Sequence, residues 1–188
     1  LQSYIYSHFN LSVNQDDLKK TEMYKQQFQR EQAKTAHGSM DDYLASLEMK
    51  VSILSDNTDS IPRIAQLTQK TNQFNLTTKR YTESQITGFF ENTAGAVYTL
   101  SVADKFGDNG LTGVCILEQD KSNASAIVID SLLMSCRVIG RNIEKVFLNF
   151  ILQQIKTQGY QKVYAVYEPT KKNEQVESFY DKIGFTFQ

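Results

Sequence analysis

Residues 134–144 read MSCRVIGRNIE, and several kinds of chemistry meet in that run. Cys136 offers a thiol, whose thiolate attacks acyl groups. Arg137 and Arg141 can make charge-assisted hydrogen bonds to a phosphate or carboxylate. Gly140 lets the backbone come close to a ligand. The apolar residues before this run and the amphipathic ones after it predict a strand-to-helix turn. A helix start presents unpaired N–H groups and a positive dipole end, which suit phosphate. A thiol beside that helix start and two arginines lies where the thiolate is favoured. The plainer reading is a small residue at a strand end beside a charged turn, since cysteine is a common buried residue. The two histidines, His8 and His37, lie far from Cys136 in sequence, so no matching histidine base is in view. Cys115, in the middle of GVCIL, reads as core.

A second segment, TNQFNLTTKRY (residues 71–81), is dense in amides and hydroxyls. Asn72, Gln73, Asn75 and Thr77 could bind a small hydroxylated acyl group through neutral hydrogen bonds. Arg80 could meet a phosphate or carboxylate. The alternatives are a loop that satisfies its own backbone and a solvated Lys79–Arg80 pair. Asp104 ends a strand, where a general base could stand, whereas Asp108 and Asn109 are explained by turn chemistry. Metal-ligand spacing is absent, and no metal is expected.

The elements that must position these residues can be read from periodicity. Residues 16–34 form a polar helix with a thin stripe of Leu18, Tyr24 and Phe28, which needs a neighbour to be stable. His37–Ser39 breaks it, and Ser39 with Asp42 starts a short helix whose Tyr43, Leu44 and Leu47 face inward. MKVSIL (residues 49–54) is a strand. Residues 60–72 are a helix, with Ser60 as cap and Pro62 in the first turn. A further helix begins near Thr82. Residues 96–104 and 111–119 predict a hairpin closed by FGDNG. Residues 124–135 are a central strand, apolar on both faces. From Asn142 the helix pattern is clear, with Ile143, Val146, Phe147, Phe150, Ile151 and Ile155 on one face and Gly159 at its end. A strand (KVYAVYE), a helix (residues 172–184) and a last short strand (FTFQ) follow.

Composition bounds the rest. The 188 residues are 40% hydrophobic and 22% charged, enough for one domain and an appendage. A net charge of −1 gives no nucleic-acid footprint. Two cysteines fit a reducing, cytoplasmic setting, so the sequons at Asn10, Asn75 and Asn123 carry little weight. No apolar run approaches a membrane span, and no signal peptide is visible. A chain that opens on Leu1 reads as a fragment, with a helical connector over 1–48 and a compact domain over 49–188.

The strand order and the R-x-x-G-x-N turn resemble the GNAT acyltransferase fold, an α/β (α+β) fold with a mixed central sheet flanked by helices. The resemblance implies that Arg137, Gly140, Arg141 and Asn142 contact the pyrophosphate of coenzyme A, although Asn142 replaces a small residue there. It also implies that a groove between two split strands holds a pantetheine arm. NEQVESFYDKIGF (residues 173–185) resembles the fold's closing segment, with Asn173 opening a helix and Tyr180 able to act as the general acid. For Phe179 and Tyr180 the alternative is core packing. The runs DDLKKTEMYKQQ, LASLEMKV, SIPRIAQLTQKTNQFNLTTKRYT, DKFGDNGLTGV, SLLMSCRVIGRNIE and YEPTKKNEQVESFY, together spanning nearly the whole chain, are similar to the C-terminal half of FkbH-like proteins. That implies transfer of a glyceryl-type acyl group from 1,3-bisphosphoglycerate, a small acyl phosphate, to the phosphopantetheine thiol of an acyl carrier protein. Such transfer serves methoxymalonyl-type polyketide biosynthesis, with a haloacid-dehalogenase-type (HAD-like) phosphatase domain upstream. A cysteine thioester is the implied intermediate. Pro169 and Thr170 would lie on the cleft rim. The phosphatase signature D-x-D-x-T is absent from this chain, and the fragment is expected to be inactive alone. Against this stand a coenzyme-A-dependent N-acetyltransferase and a non-catalytic domain that docks a carrier protein.

Overall fold

The structure, a computed structural model, describes residues 15–186. It divides into two compact units. One holds the residues up to Glu48 with Lys105–Gly107, and the other runs Met49–Asp104 and from Asp108 onward.

In the first unit, α1 spans Gln15–Ala36 and α2 spans Met40–Ser46. The Ser39 hydroxyl accepts from the Asp42 N–H at 3.1 Å, the expected cap. Tyr43 and Leu47 are buried. The thin stripe on α1 is not covered: Tyr24 is 77% and Phe28 63% exposed. The side chain of Leu18, like His8 and Asn10, lies outside the described residues.

The second unit is built on one mixed sheet. Its strands are β1 (Lys50–Ser55), β2 (Phe74–Asn75), β3 (Ala96–Asp104), β4 (Gly107–Gln119), β5 (Ala126–Met134) and β6 (Lys162–Ala165). The spatial order is β1-β3-β4-β5-β2, with β6 pairing β5 in parallel. Helices α3 (Ile61–Lys70), α4 (Glu83–Glu91) and α5 (Ile143–Thr157) flank it. One core of buried side chains includes Phe147, Ile151 and Ile155 of α5 with Leu100, Leu132 and Met134 of the sheet. A second joins Ile64 and Leu67 of α3 and Ile86 of α4 to Val114, Ile116 and Leu133. Strand β5 contributes to both, which explains its nearly unbroken apolar run.

Several expectations need correction. The β3–β4 hairpin turns at Lys105–Phe106, and Gly107–Gly110 of FGDNG are part of β4, with Gly107 and Gly110 at positive φ. Pro62 stands in the first turn of α3 as expected, but Ser60 makes no side-chain cap. On α5, Leu148 is buried and Val146 is 53% exposed, so the apolar face is rotated from the one expected. Residues 173–184 form two 3₁₀ turns, Glu174–Val176 and Asp181–Ile183, in place of a helix. Val176, Phe179 and Tyr180 are buried there, a spacing that either helix type can present. Phe185 and Thr186 lie in no strand, and residues 187–188 are outside those described.

Candidate active site

Strand β5 organises the site because its outer edge is shared. Ala126–Ile129 pair with β6, while Leu133 and Met134 pair antiparallel with Asn75 and Phe74. Leu76 continues this second pairing, its N–H donating to the Leu132 carbonyl at 3.1 Å. On the far side, the Glu168 N–H donates to the Leu76 carbonyl at 2.8 Å. The split between β5 and β6 is therefore filled by the chain's own residues 74–76. The strand edge expected to face a pantetheine arm is already hydrogen-bonded, which corrects the expected open groove.

At the split, β5 bulges. Ile116 opposes Ser131 and Leu117 opposes Ile129, so Asp130 is the extra residue. Asp130 is 7% exposed, and a buried carboxylate needs partners. It accepts from Lys79 Nζ at 2.7 Å, from the Tyr81 hydroxyl at 2.7 Å and from the Ser131 hydroxyl at 2.9 Å. Burial first, then the hydrogen bond and charge of Asp130, push the Tyr81 hydroxyl pKa far up. Asp130 and Ser131 did not stand out in the sequence, although an aspartate inside the apolar run IVIDSLLM was the available signal.

The residues expected to bind an acyl group are mostly engaged with the chain itself. Asn75 is fully buried: its amide donates to the Thr71 carbonyl at 3.2 Å and accepts from the Thr78 N–H at 2.9 Å. The Thr77 hydroxyl donates to the Asp130 carbonyl at 3.1 Å. Arg80 donates to the carbonyls of Thr68 and Thr71 at the end of α3 and to Asn72 Oδ1. A cation there satisfies orphan helix carbonyls. Gln73 is exposed. Asn173 is fully buried and ties separate segments together. Its amide donates to the carbonyls of Asn75 (2.9 Å) and Glu168 (3.0 Å) and accepts from the Thr170 N–H (2.7 Å). It is thus an internal tie, not a group presented to phosphate. Tyr180 packs between Phe179 and Phe185. Its hydroxyl is buried without a hydrogen-bond partner, and burial holds its pKa well above the ordinary value.

The turn after β5 is different. Cys136 is a free, exposed cysteine at the start of a 3₁₀ turn, Cys136–Val138. It lies on this 3₁₀ turn and precedes the first residue of α5, Ile143, so it is not itself part of the α5 N-terminus. Arg137 donates from Nε to the Ser135 hydroxyl at 3.3 Å. Arg141 turns inward: it pairs with Asp104 at 3.0 Å, both side chains buried, and donates to the Arg137 carbonyl at 2.8 Å. Asp104 is therefore a counter-ion. Gly140 (φ 79°) and Asn142 (φ 61°) are left-handed. Space is open over Gly140, and the first-turn N–H groups of α5 have no intrahelical acceptor. Cys115 is buried, which pushes its thiol pKa far up. The cysteine that faces solvent is thus Cys136.

The fold has clear counterparts among solved structures. The ribosomal-protein-S18-alanine N-acetyltransferase of Escherichia coli is similar over 73% of this chain and 78% of that one, with a TM-score of 0.56 and 12% identity. The ribosomal-protein-alanine N-acetyltransferase of Brucella melitensis biovar Abortus 2308 covers 75% of this chain and 94% of its own, with a TM-score of 0.53 and 13% identity. The aminoglycoside N-acetyltransferase AAC(6')-Iy in complex with CoA gives a TM-score of 0.54 at 9% identity, over 74% of this chain and 90% of its own. The chain has the GNAT acyltransferase fold. No family model and no curated protein matches the sequence. Among the described residues no helix is long and apolar enough to cross a membrane.

Proposed function

We propose that this chain carries the acyl-transfer half of an FkbH-like protein. In this reading a glyceryl-type acyl group leaves an acyl phosphate, rests on Cys136 as a thioester and passes to the phosphopantetheine thiol of an acyl carrier protein. A phosphatase domain elsewhere in the protein removes the remaining phosphate. The observation that carries the reading is the exposed thiol of Cys136 beside an arginine-bearing turn, while the edge of β5 is closed. A thiol at the surface can be reached by the end of a carrier arm without opening the sheet.

The chemistry balances without a histidine. The Cys136 sulfur bonds to the acyl carbon, the bond from that carbon to the phosphate oxygen breaks, and the thiol proton ends on the departing phosphate. The carrier thiol then attacks the thioester and regenerates Cys136. In this reading Arg137 and the N–H groups near Gly140 would meet the phosphate charge. Mass spectrometry of the protein, with its phosphatase domain, after incubation with 1,3-bisphosphoglycerate tests this. An acyl adduct is expected on Cys136 and lost in Cys136→Ala; an adduct that survives the substitution removes Cys136 from the reaction.

The structural neighbours favour a second reading at least as strongly, that of a coenzyme-A-dependent N-acyltransferase, because the matched proteins are N-acetyltransferases and one is a complex with CoA. The residues fit the phosphate end of coenzyme A at Arg137 and Gly140, but β5 leaves no free edge for its arm. Micromolar binding of acetyl-CoA by calorimetry would favour this second reading; no binding would favour the first.

A further inference from the structure

Strand β6 is bound on one side only. It pairs with β5 in parallel, and among the described residues no strand takes its other edge. We propose that this free edge is a docking site for an extended peptide of a protein partner, which joins the sheet as a further strand beside β6 and carries a basic side chain. The proposal is independent of the reading of Cys136.

The ladder fixes which groups are free. The Ala126 carbonyl accepts from the N–H of Asp120, just past β4, at 3.0 Å, so Ile127 and Ile129 turn their backbone groups to β6. The Lys162 N–H donates to the Ser125 carbonyl at 3.4 Å, which sets Lys162 and Tyr164 facing β5. By alternation, Val163 and Ala165 turn their N–H and C=O groups to the free edge. A cleft of about 830 Å³ lies there. Leu152 of α5, Val163, Ala165, Ile183 and Phe185 line it, all partly buried against the core. A strand residue takes about 4.8 Å across a sheet, about 10 Å through it and about 3.3 Å along it, so the cleft holds roughly five residues of one added strand. A second copy would bring its own cleft, and two concave edges set face to face would leave that space unfilled. Among the described residues, Glu177 and Asp181 are exposed on the cleft wall and Lys162 is its one cation, so the wall complements a basic side chain. Tyr180 lines the cleft as well, and its buried hydroxyl has no hydrogen-bond partner, a group that an added strand can complete. Strand addition draws affinity from main-chain bonds and specificity from alternate side chains, and this edge supplies both.

Hydrogen exchange of the Val163 and Ala165 amides, read by NMR on the full-length protein, tests the site. The probe is a blocked peptide of alternating valine and threonine between two terminal arginines. Both amides should exchange fast in the free protein and about tenfold or more slowly with the peptide at saturation. N-methylation of one alternating set in the peptide, the valines or the threonines, should abolish binding and of the other set spare it, because only one set turns its N–H groups to β6. Glu177→Lys with Asp181→Lys changes exposed positions only. It should weaken the arginine peptide about threefold or more and strengthen the same peptide with terminal glutamates. Slow exchange in the free protein at every concentration would mean that the protein's own residues hold the edge, and slowing that grows with protein concentration would mean a second copy. Either result overturns the proposal, as does a peptide that leaves both amides unprotected or binds equally well with either set methylated.

Discussion

Two segments meet the C-terminal end of strand β5, and they use similar residues to opposite ends. Residues 71–81 are rich in amides, hydroxyls and cations, yet these groups close on the chain itself, through Asn75, Thr77, Arg80 and the Asp130 cluster. Residues 136–142 keep a thiol and left-handed backbone open to solvent, while Val138 and Arg141 are turned inward. Polar composition alone does not separate a ligand site from a self-bonded loop. The buried acceptors decide it. Where the fold brings carbonyls and a carboxylate within reach, as around Thr68, Thr71 and Asp130, the polar side chains are drawn to them.

The largest effect is expected where the open turn is tied to the sheet. Asp104→Asn leaves Arg141 buried, charged and without its counter-ion, which costs about 3–5 kcal/mol. Chemical denaturation should show a lower midpoint with an unchanged slope. A loss below about 1 kcal/mol would mean that Arg141 swings out to solvent, and the contrast between the segments would weaken.

The closed segment predicts a somewhat smaller loss. Asp130→Ala removes the acceptor of Lys79, Tyr81 and Ser131 and should cost about 2–3 kcal/mol. Lys79→Met should cost less than about 1 kcal/mol, because the Lys79 side chain is 41% exposed. The tyrosines add a pH arm. Tyr81 and Tyr180 have raised pKa values when folded, so the unfolded chain loses these protons first. Stability is then fully present below the ordinary tyrosine value of 10.0 and falls as pH rises beyond it. In Asp130→Ala, tyrosinate absorbance from Tyr81 should appear at lower pH while that of Tyr180 still waits for unfolding. Simultaneous appearance in both proteins would mean that Asp130 does not govern Tyr81.

Much of this was legible from residue patterns, and the misses have physical causes. Capping found the start of α2, because Ser39 bonds to the backbone it precedes; the helix read from near Thr82 starts there, with Thr82 as its cap. Alternation and apolar runs located β3, β4 and β5. A loop that bonds to itself was one of the two readings of residues 71–81, and the local bonds of Asn75 and Arg80 agree with it; its long-range ties were not legible, because the partners Asp130 and Asn173 are 49 or more residues away from Tyr81 and Asn75. Arg141 looked like Arg137 in sequence, and only the position of Asp104 separates them.

The smallest effect concerns Asn142 and returns to the open turn. Its identity departs from the small residue that the GNAT pattern carries there. The backbone gives a reason: Asn142 has φ 61°, and asparagine is among the few side-chain-bearing residues that adopt this region readily. Its side chain makes no cap to the helix, so the left-handed backbone is the reason its side-chain type matters. Asn142→Gly should therefore stabilise the protein slightly or leave it unchanged, within about 0.5 kcal/mol. Asn142→Ala should cost about 1 kcal/mol, because alanine has the strain of the left-handed region without asparagine's tolerance for it. The two melting curves should bracket the native one. If Asn142→Gly instead destabilised by as much as Asn142→Ala, the asparagine side chain would have a partner of its own, and the turn would be less open than its geometry implies.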